Sequence, residues 1–381
     1  MAGVLASCSK GTVTAADTDK PPYVSVTDYG AKGDGISDDT PAIMAAIKVA
    51  SQHRGNQVLL PRGRYRLKHV PSGALLPLEN ITDLHIRGVD AVLSCNTPGG
   101  TGSIFRLTDC ENITIEGLGF HDEGLDRAIN WKGAVAIYLT GYGERGNRGI
   151  RIQDCRFDNV LTAFTANDRG GKRATDIRLT NLNIRASFYG LSFQNNGDNV
   201  FATGIRCDDV KRSYFPYGVT NHYIELSADN NATGLTDVLI KCYGRETANL
   251  VVKLRSRGKR SGDAIVALDQ QHPDDLGMIR DIRMDLDIAD ADCRLKNIVS
   301  MRAFTPDGKL VPRTLSQWQN LQFQGQAHYC NSATRLLTVG SQSRDPGTIA
   351  MSEALLNQLD KADLHGFKIT LADVPDRSGQ P

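Results

Sequence analysis

Five side chains in the middle of the chain carry the chemistry needed to move a proton beside a carboxylate. His222 or Lys253 would be the base, Lys253 or Arg255 the neutralising cation, and Tyr189 or Tyr217 the proton donor. Abstraction of a proton α to a uronate carboxylate needs those three roles together. They meet when six segments are aligned on their first, inward residue: Val135–Tyr138, Phe164–Asn167, Leu191–Gln194, Val219–His222, Leu250–Lys253 and Ile298–Met301. Strand alternation sends the second and fourth residues of each segment outward. The fourth column then reads Tyr138, Asn167, Gln194, His222, Lys253, Met301, with Arg169, Asn196 and Arg255 two residues further on. Such a stripe suits a groove for an extended polar polymer. Trp131, Tyr142, Tyr214 and Tyr217 fall in flanking loops where they could stack on sugar rings. Polar outward faces and Asn or Gln ladders also occur for purely structural reasons, so both readings stand at this point.

Glycoside hydrolysis would need a different set, two carboxylates about 5–9.5 Å apart. The stripe holds none, and Asp168, Asp198 and Glu225 nearby are the alternative catalytic carboxylates. Elimination fits the stripe better. A lysine acting as base needs burial or cationic neighbours to lower its pKa. A calcium requirement stays open, with Asp168 or Asp198 as ligands, although no D-x-D-x-D loop supports it. No other metal or cofactor is expected.

These residues must be positioned by repeats. A short apolar pair returns as Leu84-His-Ile86, Ile113-Thr-Ile115, Ile150-Arg-Ile152, Ile177-Arg-Leu179, Val200 through Ile205, Val238-Leu-Ile240, Ile282-Arg-Met284 and Leu321-Gln-Phe323. The starts lie 29, 37, 27, 23, 38, 44 and 39 residues apart, one bare rung with loops of varying length inserted. One rung cannot bury its inner face alone, so stacking makes the core. An α-solenoid would need helical periodicity in each repeat. A propeller would need hairpins, and the Asn-Gly or Asp-Gly pairs that mark them are nearly missing. The reading is an all-β solenoid, a single-stranded parallel β-helix. Thirty-seven glycines with 6% aromatic residues agree with a turn-rich body, the glycines serving rung corners. Forty-four basic against 43 acidic residues give a net charge of +1, so no global field attracts nucleic acid or an anionic membrane.

The segment opening this solenoid is specific. A strand at Val24–Thr27 leads into Asp28-Tyr-Gly-Ala-Lys-Gly-Asp-Gly-Ile-Ser-Asp-Asp-Thr40, then a helix N-capped by Thr40 with Pro41 first, then Gln57–Leu60, Pro61-Arg-Gly63 and Tyr65. It resembles the N-terminal signature of the pectate-lyase-like right-handed β-helix proteins, the rhamnogalacturonase or epimerase-like group. The resemblance implies a right-handed winding, an N-terminal capping helix and action on polysaccharide. It rests on the cap, so Asp34, Asp38 and Asp39 are read as fixing turns. Tyr189-Gly-Leu-Ser-Phe-Gln-Asn195 also resembles the Y-G-F-D-P-H-E strand of mannuronan epimerases. The Asp and His of that strand are Ser192 and Gln194 here, which argues against epimerisation by the same residues. The polygalacturonase motifs N-T-D, D-D, G-H-G and R-I-K are missing.

Residues 1–22 read as a flexible segment, 23–345 as the β-helix with its cap, and 346–381 as a C-terminal cap and tail with a short helix at Met351–Lys361. Leu5-Ala-Ser-Cys8 resembles a bacterial lipobox, making Cys8 a lipidation candidate, although Met1–Ser7 lacks a basic start and a long apolar core. Cys155 and Cys207 occupy apolar positions and read as small core residues. The expectation is an extracytoplasmic, bacterial-type protein (periplasmic, lipoprotein or secreted) acting on an acidic polysaccharide, most readily as a lyase. A glycoside hydrolase and a non-catalytic polysaccharide-binding or assembly protein are the alternatives. The partner is the polysaccharide, with no nucleic acid, a membrane contact only through an N-terminal lipid, and a monomeric or trimeric state.

Overall fold

The computed structural model describes residues 23–52, 57–68, 73–97, 101–125, 132–168, 170–230, 236–242, 245–258, 261–271, 278–290, 294–304, 313–314, 317–329, 334–340, 342–343, 348–359 and 368–371. Trp131, Arg169, Cys8 and the segment 1–22 lie outside these residues, as do Cys293 and Cys330.

Nearly every described element is a strand, and the strands pair in parallel with the equivalent strand of the neighbouring rung. They form a large sheet of 17 strands and a second sheet of 10. The chain is a right-handed parallel β-helix. Its large sheet keeps one inward column through Ile150, Ile177, Val200, His222, Leu250, Ile282, Leu321 and Ile349. The second sheet keeps another through Leu76, Phe105, Ile137, Phe164, Leu191, Tyr214, Val238, Val266, Val299 and Leu337. Side chains from both columns fill the interior. Burial of these stacked apolar rows is the main stabilising term, at about 25 cal/mol per Å².

Two features of this register differ from the expected repeat. Val238-Leu-Ile240 belongs to the second sheet, and the large sheet is supplied instead by His222-Tyr-Ile224 and Leu250-Val-Val252. The pattern skipped a rung because a histidine stands in the inward column. The parallel ladder also continues past residue 345: Thr348–Met351 pairs with Leu321–Phe323 and then with Lys368–Leu371. The C-terminal helix is the short Glu353–Leu356.

Positive φ at the corners comes mostly from asparagine and aspartate. Seventeen described non-glycine residues have positive φ, and all but Ala186 are Asn or Asp. These residues tolerate the left-handed region because their short polar side chains bond locally. One corner column precedes the inward residue of nine successive large-sheet rungs: Asp83, Asn112, Gly149, Asp176, Asn199, Asn221, Asn249, Asp281 and Asn320. Its amides bond from rung to rung, Asn221 Nδ2 donating to Asn199 Oδ1 at 3.0 Å and Asn249 Nδ2 to Asn221 Oδ1 at 3.1 Å.

The cap follows its sequence with one shift. The helix is Thr40–Ala50 and its N-cap is Asp39 rather than Thr40. Asp39 is fully buried and accepts from Lys32 N at 2.7 Å and Gly33 N at 3.2 Å. Asp34 binds the Ile36 and Ser37 amides, both at 2.8 Å, which holds its carboxyl down at about 2. All three aspartates act on the turn. Gly63 is required there, since a Cβ would stand 2.8 Å from Gly33 O.

Candidate active site on the second sheet

The outward columns of the second sheet are defined by its register. One runs Tyr138, Thr165, Ser192, Phe215, Leu239, Ala267, Ser300 and Thr338. The other runs Thr140, Asn167, Gln194, Tyr217, Lys241, Asp269 and Arg302. Tyr189 and Arg212 face each other at the start of their strands. Strands come close at this point because Gly190 has no Cβ, which would otherwise lie 2.5 Å from Ser213 O.

The rings of Tyr189 and Phe215 stack at 5.4 Å and 19°, with Phe188 at 4.7 Å from Tyr189 and Tyr217 at 5.6 Å from Phe215. Arg212 lies across this floor, its Cζ 5.4 Å from the Tyr189 ring and 5.6 Å from Phe215, and its Nη1 donates to Tyr189 Oη at 2.8 Å. Lys241 Nζ stands 5.8 Å from the Phe215 ring. Upstream, Gln194 Oε1 accepts from Asn167 Nδ2 and from Tyr217 Oη, both at 3.1 Å. Downstream, Arg302 grips Asp269 with Nε at 3.1 Å and Nη2 at 3.2 Å and also bonds Asp263.

Charge is unbalanced here. Lys241 and Arg302 flank the buried Asp269, Arg302 holding both Asp269 and Asp263, and Arg212 lies close enough to act on Lys241. Burial lowers the Lys241 pKa, opposed by Asp269 and assisted by Arg212 and Arg302. Burial raises the Tyr189 hydroxyl, with Arg212 pulling the other way. Burial also raises Asp269 against the pull of Arg302. The face therefore combines an amine biased toward its neutral form, phenols able to give protons, amides, and a cationic field over aromatic rings.

The expected stripe is split by this geometry. Asn167, Gln194, Tyr189 and Tyr217 lie on the face, and Tyr138 lies on its other column. His222 does not. It belongs to the large sheet, points inward, is 2% exposed, and packs edge-on against Phe193 at 4.8 Å. Its Nε2 donates to Gly197 O and its Nδ1 accepts from Tyr214 Oη, both at 2.8 Å, and burial pushes its pKa down to about 4. Lys253 and Arg255 are outward on the large sheet. Lys253 sits between Glu225 and Asp285, with a hydrogen bond to Tyr223 as the main cause of its raised pKa. Arg255 is 4.0 Å from Asp287. Met301 is buried and inward. Asn196 is a buried corner residue whose Oδ1 accepts from Ala174 N at 2.5 Å and Gly197 N at 2.9 Å.

The carboxylates do not converge. Asp198 is bound by Arg173 at 2.6 Å and by Thr220 N at 2.8 Å; Asp168 faces Arg245 at 3.5 Å; Glu225 lies on the large sheet. Among the described residues no three metal-ligating side chains gather, and Asp168 and Asp198 each face an arginine. Lys241, Arg212, Asp269 and Arg302 went unrecognised in the sequence. Moving Val238–Cys242 to the second sheet would have placed Lys241 beside Tyr217.

Residues 23–70 match the family model described as Rhamnogalacturonase A/epimerase, pectate lyase-like. Mannuronan C5-epimerase AlgE2 of Azotobacter vinelandii is 46% identical over 248 residues, covering 60% of this chain and 22% of that protein. Alginate lyase 7 of the same organism is 47% identical, covering 31% of this chain and 14% of its own length. The chain thus spans under a quarter of these relatives. The A-module structure of Mannuronan C-5 epimerase AlgE4 from A. vinelandii superposes with TM-score 0.50 at 15% identity, covering 92% of this chain and 100% of that one. An exopolygalacturonase from Thermotoga maritima gives 0.52 at 11%, covering 87% and 81%. At such identities the superpositions speak for the fold, which is pectate-lyase-like.

Proposed function

We propose that the outer face of the second sheet binds a uronate polysaccharide and cleaves it by β-elimination. The observation that carries this reading is the Lys241–Tyr217–Arg212 group, an amine of lowered pKa beside a phenol and a guanidinium on one aromatic floor. Arg212, with Gln194 and Asn167, would hold the substrate carboxylate and stabilise the charge that develops on it. Neutral Lys241 takes the C5 proton, the electron pair moves toward C4, and the C4–O bond breaks. Tyr217 gives its proton to the leaving oxygen, leaving an unsaturated uronate at the new chain end.

These groups rise from one sheet and so meet one side of a bound sugar. Removal of C5–H and loss of C4–O on the same side suits mannuronate or glucuronate, in which the two bonds are syn, better than galacturonate. Relatives named as mannuronan C5-epimerases favour a second outcome of the same carbanion, return of a proton to the opposite side of C5. Hydrolysis has less support, because Asp168 and Asp198 are each engaged by an arginine and Glu225 lies on the large sheet. An extracytoplasmic location, with or without a lipid on Cys8, accompanies a substrate of this size; no described helix is long and apolar enough to cross a membrane.

The test is incubation with polymannuronate, polyglucuronate and polygalacturonate. Ultraviolet absorbance from a new C4=C5 bond is expected, lost in Lys241→Ala. Deuterium entering C5 from heavy water without chain scission would assign epimerisation. New reducing ends without absorbance would assign hydrolysis, and retention with no change in the polymer would leave a binding protein.

A further inference from the structure

A second surface, on the outer face of the large sheet, has the same kind of chemistry and none of the same residues. Register places Arg151, Arg178, Phe201 and Tyr223 in one outward column on four consecutive rungs. Phe201 is 39% exposed, an unusual position for a phenylalanine with no packing duty toward the core. Its ring and that of Tyr223 are nearly parallel, with centroids 5.0 Å apart at 13°. That separation exceeds face contact, so the rings are offset and form a stepped aromatic surface. Arg178 Cζ lies 5.8 Å from the Phe201 centroid, and Lys253 Nζ lies 5.4 Å from that of Tyr223. Arg151 and Arg178 are exposed. The acidic neighbours are Glu116, paired with His85 one rung before Arg151, Asp176, 3.9 Å from Arg148, and Glu225 and Asp285 beside Lys253. The field is therefore cationic at the Arg151–Arg178 end and balanced at the Tyr223 end.

We infer that this strip is a non-catalytic binding track for an anionic polysaccharide lying along the solenoid axis. Four rungs at about 4.8 Å each span about 14 Å from first to last, near the length of three sugar units. Ring faces would take the apolar sides of pyranoses, and the arginines would take their carboxylates. The track shares its ligand class with the groove of the second sheet but does not depend on turnover there. A long chain held on the large sheet would raise the local concentration of polymer at the second sheet, in the manner of a second linked site.

The experiment is native gel electrophoresis of the full chain in gels containing polymannuronate or neutral hydroxyethyl cellulose, with sedimentation velocity of each variant. Polymannuronate should retard the parent and Lys241→Ala alike. The Phe201→Ala, Tyr223→Ala double variant should weaken retardation about tenfold, the loss expected for about 1.4 kcal/mol of stacking. Arg178→Gln, an exposed change with little folding risk, should weaken it in the same direction, and rates on uronate tetramers should be unchanged in both. Retardation that survives both variants would overturn the track, as would equal retardation by the neutral polymer. A fall in sedimentation coefficient on removal of the rings would show that the strip joins two copies of the chain. Strip-dependent retardation without turnover of any polymer would leave the track standing and remove only the groove reading.

Discussion

His222 is the buried titratable group whose behaviour follows most directly from its surroundings. Its carbonyl partner, Gly197 O, can only accept, so Nε2 carries the proton and Nδ1 accepts from Tyr214. Both nitrogens are satisfied in the neutral ring, and a second proton on Nδ1 would face the Tyr214 hydroxyl inside an apolar rung. The folded pKa of about 4 lies below the ordinary 6.5. The unfolded chain therefore binds the proton first, and stability is lost as pH falls from 6.5 toward 4. At about 1.4 kcal/mol per pH unit the full difference is about 3 kcal/mol, of which about 2 kcal/mol is reached by pH 4.5. Carboxylates contribute their own acid dependence, so the measurement is a difference. His222→Leu loses two hydrogen bonds and strands the Tyr214 hydroxyl, costing about 2–4 kcal/mol at pH 7. Urea unfolding followed by far-ultraviolet circular dichroism should show that deficit at pH 7 and a deficit about 2 kcal/mol smaller at pH 4.5. A deficit equal at the two pH values would refute the argument, because it would mean that His222 titrates alike in the folded and unfolded chain.

Other measurements probe separate parts of the molecule. If Lys241 is the base, the rate on polyuronate rises with pH through a lysine pKa below 10.5, and Arg212→Gln, by removing a neighbouring cation, moves that rise to higher pH; an unmoved profile excludes Lys241. Asn221→Ala breaks two rung-to-rung amide bonds and forces alanine into positive φ, costing about 2–3 kcal/mol by thermal unfolding, whereas Asn221→Gly, which keeps the backbone freedom, costs less. Cys155 and Cys207 are buried and free, with burial pushing both thiols up to about 12; iodoacetamide followed by peptide mass mapping should modify neither in the native protein and both in urea.

The architecture was legible because it is written locally and repeatedly. The cap turns need Gly33, Gly63 and Asp39 whatever else the chain does, and apolar pairs must recur wherever rungs stack. The site was less legible because it depends on which sheet a strand joins, and apolar alternation alone does not say. Val238-Leu-Ile240 and Leu250-Val-Val252 look alike in the sequence, yet one belongs to the second sheet and the other to the large one. A finer signal was present. In the large sheet an Asn, Asp or Gly in positive φ stands immediately before the inward residue, as in Asp176-Ile177, Asn199-Val200, Asn221-His222 and Asn249-Leu250. That mark assigns His222 to the interior and Lys253 to the large sheet, and by elimination leaves Lys241 on the second. Asn167 and Gln194 were found because Phe164 and Leu191 head strands that are in register, whereas Tyr214 and Tyr217, read as loop residues, belong to the strand Arg212–Tyr217, with Tyr214 buried in the interior. What no pattern could supply was the burial that biases Lys241 toward its neutral amine.

The asparagine corner has a consequence for how such a protein changes over generations. Each left-handed residue restarts the winding at the same phase, and its side chain checks that phase against the rung before it. A loop lengthened between two corners alters one turn and leaves the next thread unshifted, so errors of register do not accumulate along the axis. The rung from Val200 to His222 and the rung from Ile282 to Leu321 differ greatly in length yet begin in the same column. The solenoid can therefore vary its working loops, or gain a whole turn, as a screw accepts extra thread without recutting the rest.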